Sequence, residues 1–500
     1  MDAIHGLMTG FQVALSLQGI LFVLIGVMVG TIIGMIPGLG PITAIAVMIP
    51  ITYGMSPSLA LLLMAGVYYG AAYGGATSSI LLNAPGVSEA VATTFDGYPL
   101  AQQGKAGKAL AVAALSSFVG GTISVIILTF LAPTLAKVAV SFGPPEYFAL
   151  MLMGLMAVAS LGDGSTIKAL ITATLGFMVA TIGIDGQTGT PRFTFGSVHL
   201  LEGIDFLVIA LGLFALAEVS SLVLKRKEKV ANQNPIGSLK LSKKEVKQIT
   251  PTWARNSILG FLVGVLPGAG GTIASFMAYL TEKRIAKNPE AFGKGELRGV
   301  AAPESANNAA STGAFVPLLS LGIPGSGSTA VMLGALMVMG IQPGPLLITD
   351  HPDVFWGVIA SMYIGNILLL LLNLPLIPYI AKVLKITRPL LISLIIVFCM
   401  IGVYGVSFST FDLILLTVFG VLGFLMRLVN FPAAPFILAF ILGDMIEQSF
   451  RQAMTISNGS VDIFFTRPVS LTFLILSLLV FLIPFFQMKR KQKKEKSMAA

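Results

Sequence analysis

The sequence predicts an all-α polytopic membrane protein with two inverted-topology repeats, broken or re-entrant helices, and one extra C-terminal transmembrane helix. Hydrophobic residues make up 55% of the 500 positions and charged residues only 11%, with a mean hydropathy of +0.90. A soluble protein carries roughly 25% charged residues. Apolar runs long enough to cross a bilayer recur along the chain, and an unusual Pro-Gly motif occurs twice inside them. This composition leaves no room for a soluble catalytic domain of ordinary size, so we do not expect an enzyme.

The Pro-Gly motif at Gly34–Pro41 returns as Gly264–Gly271, 230 positions later. Proline lacks a backbone donor and glycine loses the most backbone entropy in a helix, so this motif interrupts helices. Inside hydrocarbon, freed backbone groups are tolerated only where protein or a water-lined cavity satisfies them. A second pair of breaks, centred on Gly86 and Gly325, is 239 positions apart. Paired breaks at matching places in two halves indicate the binding site of a transporter.

Two basic clusters set the predicted orientation, one in a mid-chain linker and one in the C-terminal tail. Beside membrane spans they predict cytoplasmic segments rather than a nucleic-acid site. Because both clusters are predicted to be cytoplasmic, the chain must cross the membrane an even number of times between them. The run Leu471–Phe486 is one of these crossings, so repeat two crosses an odd number of times. A first repeat of the same architecture then has the opposite orientation, with the N-terminus outside and the C-terminus in the cytoplasm. The predicted division is repeat one over 1–224, a basic cytoplasmic linker over 225–255, repeat two over 256–450, and the extra helix with its basic tail over 451–500.

The stretch Asn256–Leu280 is predicted to be either a re-entrant hairpin with its tip at Pro267–Gly271 or a continuous kinked span. It follows the basic linker, and about ten residues, roughly 15 Å of helix, precede the break. That length is near half the hydrocarbon thickness. The insertion Thr281–Gly299 behind it is again rich in basic residues. Both interpretations stay open on the sequence alone.

Two stretches without Asp, Glu, Lys or Arg, 3–88 and 305–349, contain these breaks and form the candidate solute site. Broken helices direct free N–H groups into the membrane, with about half a positive charge at each N-terminus. Ser, Thr and Asn side chains add donors, so the site suits an anion held without a fixed cation. The predicted substrate-binding residues are Gly38, Leu39, Gly40, Thr77, Ser78, Ser79, Asn83, Pro85, Gly86, Gly268, Gly270, Asn307, Asn308, Ser311, Thr312, Gly325, Ser326 and Gly327.

Freed carbonyls at the opposite half-helix ends suit a hard cation such as sodium. We expect Na⁺, or H⁺ in its place, as the coupling ion and no other cofactor. The predicted sodium ligands are backbone carbonyls near Gly38, Gly40, Gly268 and Gly270, together with the Thr43 side chain. For any single Ser, Thr or Asn the alternative is that it only joins helices by hydrogen bonds.

A few charged residues interrupt the apolar runs of the second part of each half. Asp444, Glu447 and Arg451 lie on one helical face. Their spacing is typical of a structural ion pair, with a proton relay as the alternative. Asp163 is predicted to be peripheral, in a loop between two spans.

The motifs together resemble the large membrane subunit (TctA type) of the tripartite tricarboxylate transporters, over essentially the whole chain. The residues that carry the resemblance are Gly34–Pro41, Tyr68–Gly75, Asn83–Gly86, Gly264–Gly271, Asn307–Thr312 and Ile323–Gly325. The resemblance implies a bacterial inner-membrane carrier for uptake of di- and tricarboxylates such as citrate, driven by a cation gradient. It also implies a small membrane subunit and a periplasmic solute-binding protein as partners. In an inner membrane, the outside N-terminus predicted from the basic clusters is periplasmic.

A more distant resemblance to the large subunit of the TRAP carriers implies elevator-like alternating access. The chain carries no Walker-type Gly-x-x-x-x-Gly-Lys-Ser/Thr motif, which agrees with secondary transport rather than ATP hydrolysis. An anion channel and a structural membrane scaffold remain alternatives, because paired helix breaks also occur in channels.

Overall fold

The protein is all-α apart from one short β-hairpin. The computed structural model describes residues 3–36, 39–161, 165–224, 236–381 and 388–482. Within these ranges the sheet consists of β1 (Gly183–Ile184) paired antiparallel with β2 (Pro191–Arg192). Six helices are long and apolar enough to cross a membrane, which confirms the predicted polytopic membrane protein.

The helices follow one another with short connections. Up to residue 224 they are α1 (Ala3–Ala14), α2 (Leu17–Met35), α3 (Pro41–Thr52), α4 (Pro57–Leu82), α5 (Val91–Gln102), α6 (Ala106–Ala139), α7 (Pro144–Leu161), α8 (Thr166–Ala180), α9 (Phe206–Ala210) and α10 (Ala217–Leu224). From residue 243 onward they are α11 (Lys243–Val265), α12 (Gly270–Ile285), α13 (Leu297–Gly313), α14 (Phe315–Leu321), α15 (Gly327–Val338), α16 (Leu347–Asp350), α17 (Pro352–Asn373), α18 (Ile377–Ile380), α19 (Arg388–Ser407), α20 (Thr410–Leu428), α21 (Ala434–Ile456), α22 (Ile463–Thr466) and α23 (Pro468–Leu482). The predicted C-terminal span begins in α23, and its end and the basic tail lie outside the described residues.

The chain forms two compact units. Unit 1 contains Met1–Lys137 and Leu207–Phe424, and unit 2 contains Val138–Phe206 and the residues from Leu425 onward. All the motifs found in the sequence belong to unit 1. Its central helix is α4, which is 94% buried over its most apolar window.

Helices α2 and α4 pack side by side through glycines. A methyl group on Gly30 or Gly34 would collide with the backbone of Val67 or Ala71, respectively. The contact positions rise together along both helices, so α2 and α4 run parallel. Since Ala71 lies 14 residues inside α4, the chain must travel back about 21 Å between the end of α2 and Pro57. Helix α3 makes this return, and α2 and α3 therefore form a helical hairpin.

The second half repeats this packing. A methyl group on Gly260 or Gly264 would collide with the backbone of Ala306 or Ala310, so α11 and α13 are also parallel. The glycines Gly34 and Gly264 are 230 positions apart and their contact residues are 239 apart. These are the two offsets measured between the sequence motifs, so the internal repeat is present in the packing as well.

A buried carboxylate closes the hairpin of α11 and α12. Glu282 Oε1 accepts hydrogen bonds from Arg255 Nη2 at 2.6 Å and from Asn256 Nδ2 at 2.9 Å. In a continuous helix, residues 255 and 282 would be about 40 Å apart. The chain therefore folds back at Pro267, as the hairpin interpretation predicts and a continuous span does not, while the return of this hairpin to the cytoplasmic side stays a prediction.

Unit 2 is a smaller helical bundle that carries the β-hairpin. Helix α21 packs against α7 and α8, where a methyl group on Gly176 would collide with the backbone of Phe436. Arg467, just before α23, binds the buried Glu146 of α7 at 2.8 Å. This ion pair fixes the start of α23 on the bundle.

Candidate functional site

The first break of each repeat forms the tip of its hairpin. In repeat two, Gly268 and Gly270 have φ angles of +79° and +62°, a region that glycine enters without steric cost. The N–H of Gly268 donates to the carbonyl of Gly325 at 3.0 Å, which ties this tip to the second break. In repeat one, Leu39 is buried and Gly40 caps α3 in an extended conformation. Gly38 lies outside the described residues.

The tip glycines face open space, unlike the glycines that join the helices. Within 4 Å of a methyl group placed on Gly40 or Gly270 there is no heavy atom of the described protein. A methyl group on Gly34 or Gly264 would collide with backbone. The same motif therefore has two roles, tight packing at its start and an open backbone surface at its end.

The second break of each repeat begins with a left-handed residue that ends a helix. Asn83 after α4 has φ +54° and Gly322 after α14 has φ +70°, and the two are 239 positions apart. Asparagine is one of the few residues that tolerates this conformation, which explains its presence here. Its side chain is exposed. Gly86 lies so close to the carbonyl of Gly34 that no side chain would fit, while Pro85 is half-buried beside it.

Helix α15 begins directly after the second break of repeat two. Ser326 is its N-cap and forms a capping box with Thr329, which stabilises a helix start. The hydroxyl of Tyr68 on α4 lies 3.2 Å from Ser326 Oγ. Gly327 is the first helical residue, and Gly325 packs against the backbone of Ala314.

The polar residues of α4 differ in what they bind. Ser79 donates to the carbonyls of Gly75 at 2.8 Å and Ala90 at 3.0 Å, and Ser78 donates to Gly75 at 3.3 Å. These two serines therefore hold the helix and the segment behind the break. Thr77 is buried and lines a very small polar cavity with Tyr73 and Ser117.

Helix α13 is buried along its last 15 residues. Ser311 and Thr312 donate to the carbonyls of Asn307 and Asn308, one turn back, at 3.0 and 3.2 Å. The Asn308 amide donates to Asn307 Oδ1 at 2.7 Å. Asn307 Nδ2 and Asn308 Oδ1 are buried without a partner among the described residues, so this pair retains one donor and one acceptor.

Contacts between the two repeats join all four breaks into one cluster. Ser88, which follows the break of repeat one, accepts a hydrogen bond from Thr272 at the tip of repeat two at 3.1 Å. Gly271 lies against the side chain of Glu89. With the Tyr68 contact to Ser326, each repeat touches the broken region of the other. The cluster is built from helix ends and small side chains and not from fixed cations.

The cation-ligand role predicted for Thr43 stays a prediction. Its side chain is 4% exposed. It lies one turn inside α3, close to Gly40. A hydroxyl oxygen and carbonyl oxygens are suitable ligands for a hard cation.

Unit 2, which carries none of these motifs, contains a network of charged side chains. Glu447 and Arg451 form an ion pair one turn apart on α21, and Arg192 of β2 binds Glu447 at 2.8 Å. Asp185 binds both arginines, at 3.1 and 3.0 Å. The backbone N–H of Thr188 is the main cause that lowers the pKa of Asp185 well below its usual value, and Arg451 adds to it. The structural ion pair predicted for Glu447 and Arg451 is confirmed.

Asp444, on the same helix, lines a polar cavity of about 360 Å³ in unit 2 together with Arg192 and Arg451. Asp163 lies outside the described residues, so its predicted peripheral position stays a prediction.

Comparison with known proteins identifies the family. The model of the tripartite tricarboxylate transporter TctA family matches residues 20–438, nearly the whole chain. The chain belongs to this family. As a TctA-family protein it is a component of a tricarboxylate transport system, in a family of transporters rather than enzymes. Membership implies a tripartite system with a small membrane partner and a periplasmic binding partner.

Two relatives of this TctA-family chain come from Agrobacterium vitis. An uncharacterized 52.8 kDa protein in the TAR-I ttuC' 3' region is 44% identical over 493 residues, covering 98% of both chains. An uncharacterized protein in the TAR-II ttuC' 3' region is 46% identical over 236 residues, 47% of this chain and 98% of its own length. No solved structure shows significant similarity.

The sequence analysis missed three carboxylates that unit 1 of this TctA-family protein buries. Glu304, Asp96 and Glu282 are all fully buried. In the sequence, Glu304 directly precedes the stretch 305–349 that lacks charged residues, so it was not included among the predicted site residues. Its position on the same helix as Asn307 was the available signal, because a carboxylate one turn from a candidate site is rarely without a role.

Proposed function

We propose that this chain is the membrane subunit that carries di- or tricarboxylate anions, such as citrate, into the bacterial cell by secondary active transport. The observation that supports this most strongly is the cluster of four helix breaks, two from each repeat. Its tip glycines Gly40 and Gly270 present backbone to open space. Backbone N–H groups at helix starts and small hydroxyls bind carboxylates without a fixed cation.

The carrier works with the small membrane subunit and receives its solute from a periplasmic solute-binding protein. A cation gradient, sodium or proton, drives accumulation, with Thr43 and the tip carbonyls as ligands for sodium. The two repeats have opposite orientation in the inner membrane, with the N-terminus periplasmic and the C-terminus cytoplasmic. Alternating access is of the elevator type.

The first test is uptake of labelled citrate into proteoliposomes that contain this chain, its small subunit and its binding protein. We expect accumulation that saturates with citrate concentration and disappears when sodium and proton gradients are both collapsed. Gradient-driven uptake of another carboxylate but not of citrate would keep the carrier and change its solute. Ohmic anion currents without coupling would show a channel instead, and no transport of any carboxylate would favour a structural scaffold.

A further inference from the structure

Glu304 is a fully buried carboxylate at the contact between the two repeats. It lies on α13 of repeat two, and two hydroxyl groups of repeat one donate to it. Thr93 of α5 donates to Oε1 at 2.5 Å and Ser117 of α6 donates to Oε2 at 3.1 Å. The carboxylate lies one turn before Asn307, which belongs to the candidate solute site.

Glu304 has neither the cation that pairs with Glu282 nor the set of backbone donors that holds Asp96. Glu282 is paired with Arg255 at 2.6 Å. Asp96 accepts hydrogen bonds from Tyr279 and from three backbone N–H groups. Among the residues that the structure describes, no Lys, Arg or His forms an ion pair with Glu304. A carboxylate removed from water without a cation is neutralised most readily by binding a proton.

The groups around Glu304 are compatible with both of its protonation states. Thr93 and Ser117 hydroxyls can donate to the carboxylate and can also accept from the carboxylic acid, which an arginine or lysine cannot do. From α4, Tyr73 is the titratable group that interacts electrostatically with Glu304. Its hydroxyl is engaged with Asn366 Oδ1 at 2.6 Å. The carboxyl groups on the other helices packed against α13, Asp96 on α5 and Glu282 on α12, are held by the partners given above, and Glu89 lies at Gly271.

A very small polar cavity lies beside the same carboxylate. It has about 10 Å³ of space for the centre of a water molecule and is lined by Tyr73, Thr77, Ser117 and Asn373 together with alanine and leucine side chains. Ser117 belongs both to this lining and to the hydrogen bonds of Glu304. Asn373 is 3% exposed, and its Oδ1 is buried without a donor among the described residues. This volume is at the lower limit for a single water molecule.

We infer that Glu304 is a proton-binding site of this carrier, beside the small cavity of Thr77, Ser117 and Asn373, and that its proton is transported together with the solute. This rests on the proposed function. In each cycle the carboxylate takes one proton from the outer solution and becomes a carboxylic acid. The O–H bond is broken again after the site has turned to the cytoplasm, where water accepts the proton. A sodium site at the hairpin tips would act in addition to it.

The test compares wild-type protein with Glu304→Gln in proteoliposomes that contain the complete transporter. Glutamine has the shape of the protonated acid but cannot release a proton. We expect exchange of labelled for unlabelled citrate, without any ion gradient, to stay within about twofold of wild type. With an inward proton gradient, the variant should take up no more citrate than it does by exchange without a gradient. Acidification of the lumen during uptake should disappear.

Glu282→Gln is the matched control, because it changes an equally buried carboxylate that has its own cation. It should reduce thermal stability and leave proton-driven accumulation in place. Retained proton-driven accumulation in Glu304→Gln would overturn the inference, as would wild-type uptake that is driven by sodium alone and carries no proton. Wild-type protein that exchanges no carboxylate at all would overturn the proposed function and the inference with it.

Ser117→Ala provides a second measurement that does not depend on Glu304→Gln being folded. It removes a donor that stabilises the ionised carboxylate, so the proton is bound more tightly. We expect the pH midpoint of citrate uptake to rise by about one unit. An unchanged midpoint would contradict a titrating role for Glu304.

Discussion

Valine at Gly40 separates the transport role of the hairpin tip from its structural role. Gly40 has φ −78° and ψ 172°, values that any residue adopts, and no heavy atom of the described protein lies within 4 Å of the position of its Cβ. Gly40→Val should therefore lower the free energy of unfolding by about 1 kcal/mol or less, mainly through a poorer helix N-cap. Its three added carbon atoms occupy the space that the solute or ion needs.

We expect Gly40→Val to reduce citrate uptake tenfold or more, which corresponds to about 1.4 kcal/mol of lost interaction. Uptake is measured in proteoliposomes, and the melting temperature in detergent is measured on the same preparation. Gly405→Val is the matched control, since Gly405 on α19 is equally open but far from the motifs in sequence. Normal uptake by stable Gly40→Val protein would show that this tip does not face the solute.

Gly264→Ala is the control for the packing role of the motif, because Gly264 contacts backbone whereas Gly40 faces open space. A methyl group there would lie 2.5 Å from the Cα of Ala310, while ordinary contact begins near 3.4 Å. Helices α11 and α13 must then separate by about 1 Å, which costs about 1–3 kcal/mol of stability. An unchanged melting temperature would contradict the close parallel packing of these helices.

Three further predictions concern the charged residues. Arg255→Met leaves Glu282 buried without its cation and should reduce the free energy of unfolding by about 2 kcal/mol or more, measured by thermal unfolding in detergent; an unchanged melting temperature would contradict the assigned pair. Lys108 is the main cause that lowers the pKa of Glu245 to about 2, so the ionised Glu245 stabilises the fold above pH 4.5 and this contribution is lost as the pH falls towards 2. Glu245→Gln should flatten the dependence of melting temperature on pH in that window, and an identical slope would refute the pairing. Asp185→Asn should make the β-hairpin of unit 2 more sensitive to limited proteolysis, and an unchanged digestion rate would show that the ion-pair network does not hold this loop.

The repeat architecture could be predicted because short motifs record it. The offsets 230 and 239, measured between Pro-Gly motifs, reappear in the contacts of Gly34 with Ala71 and of Gly264 with Ala310. A length argument made the hairpin of α11 and α12 one of two interpretations, since ten residues of helix are too short to cross the hydrocarbon. Such patterns are formed by residues that are close together in the chain, so they can be recognised without knowing how the rest of the chain packs.

Contacts between the repeats could not be predicted in this way. Glu304 meets Thr93, which is 211 positions away, and Arg451 meets Asp185, which is 266 positions away. These contacts depend on how whole helices pack, and no periodic pattern records the pairing. In the sequence, Glu304 has the same surroundings as a residue at a membrane boundary.

The structure also changes how the polar residues of the candidate site are counted. Ser79, Ser311 and Thr312 donate to backbone carbonyls of their own helices, as hydroxyls commonly do inside membranes, so their donors are already engaged. A solute bound here would therefore depend on backbone groups to a greater degree than the number of Ser and Thr residues suggests. Alanine scanning leaves backbone groups in place, so enlarging the tip glycines is the perturbation that reports on such a site.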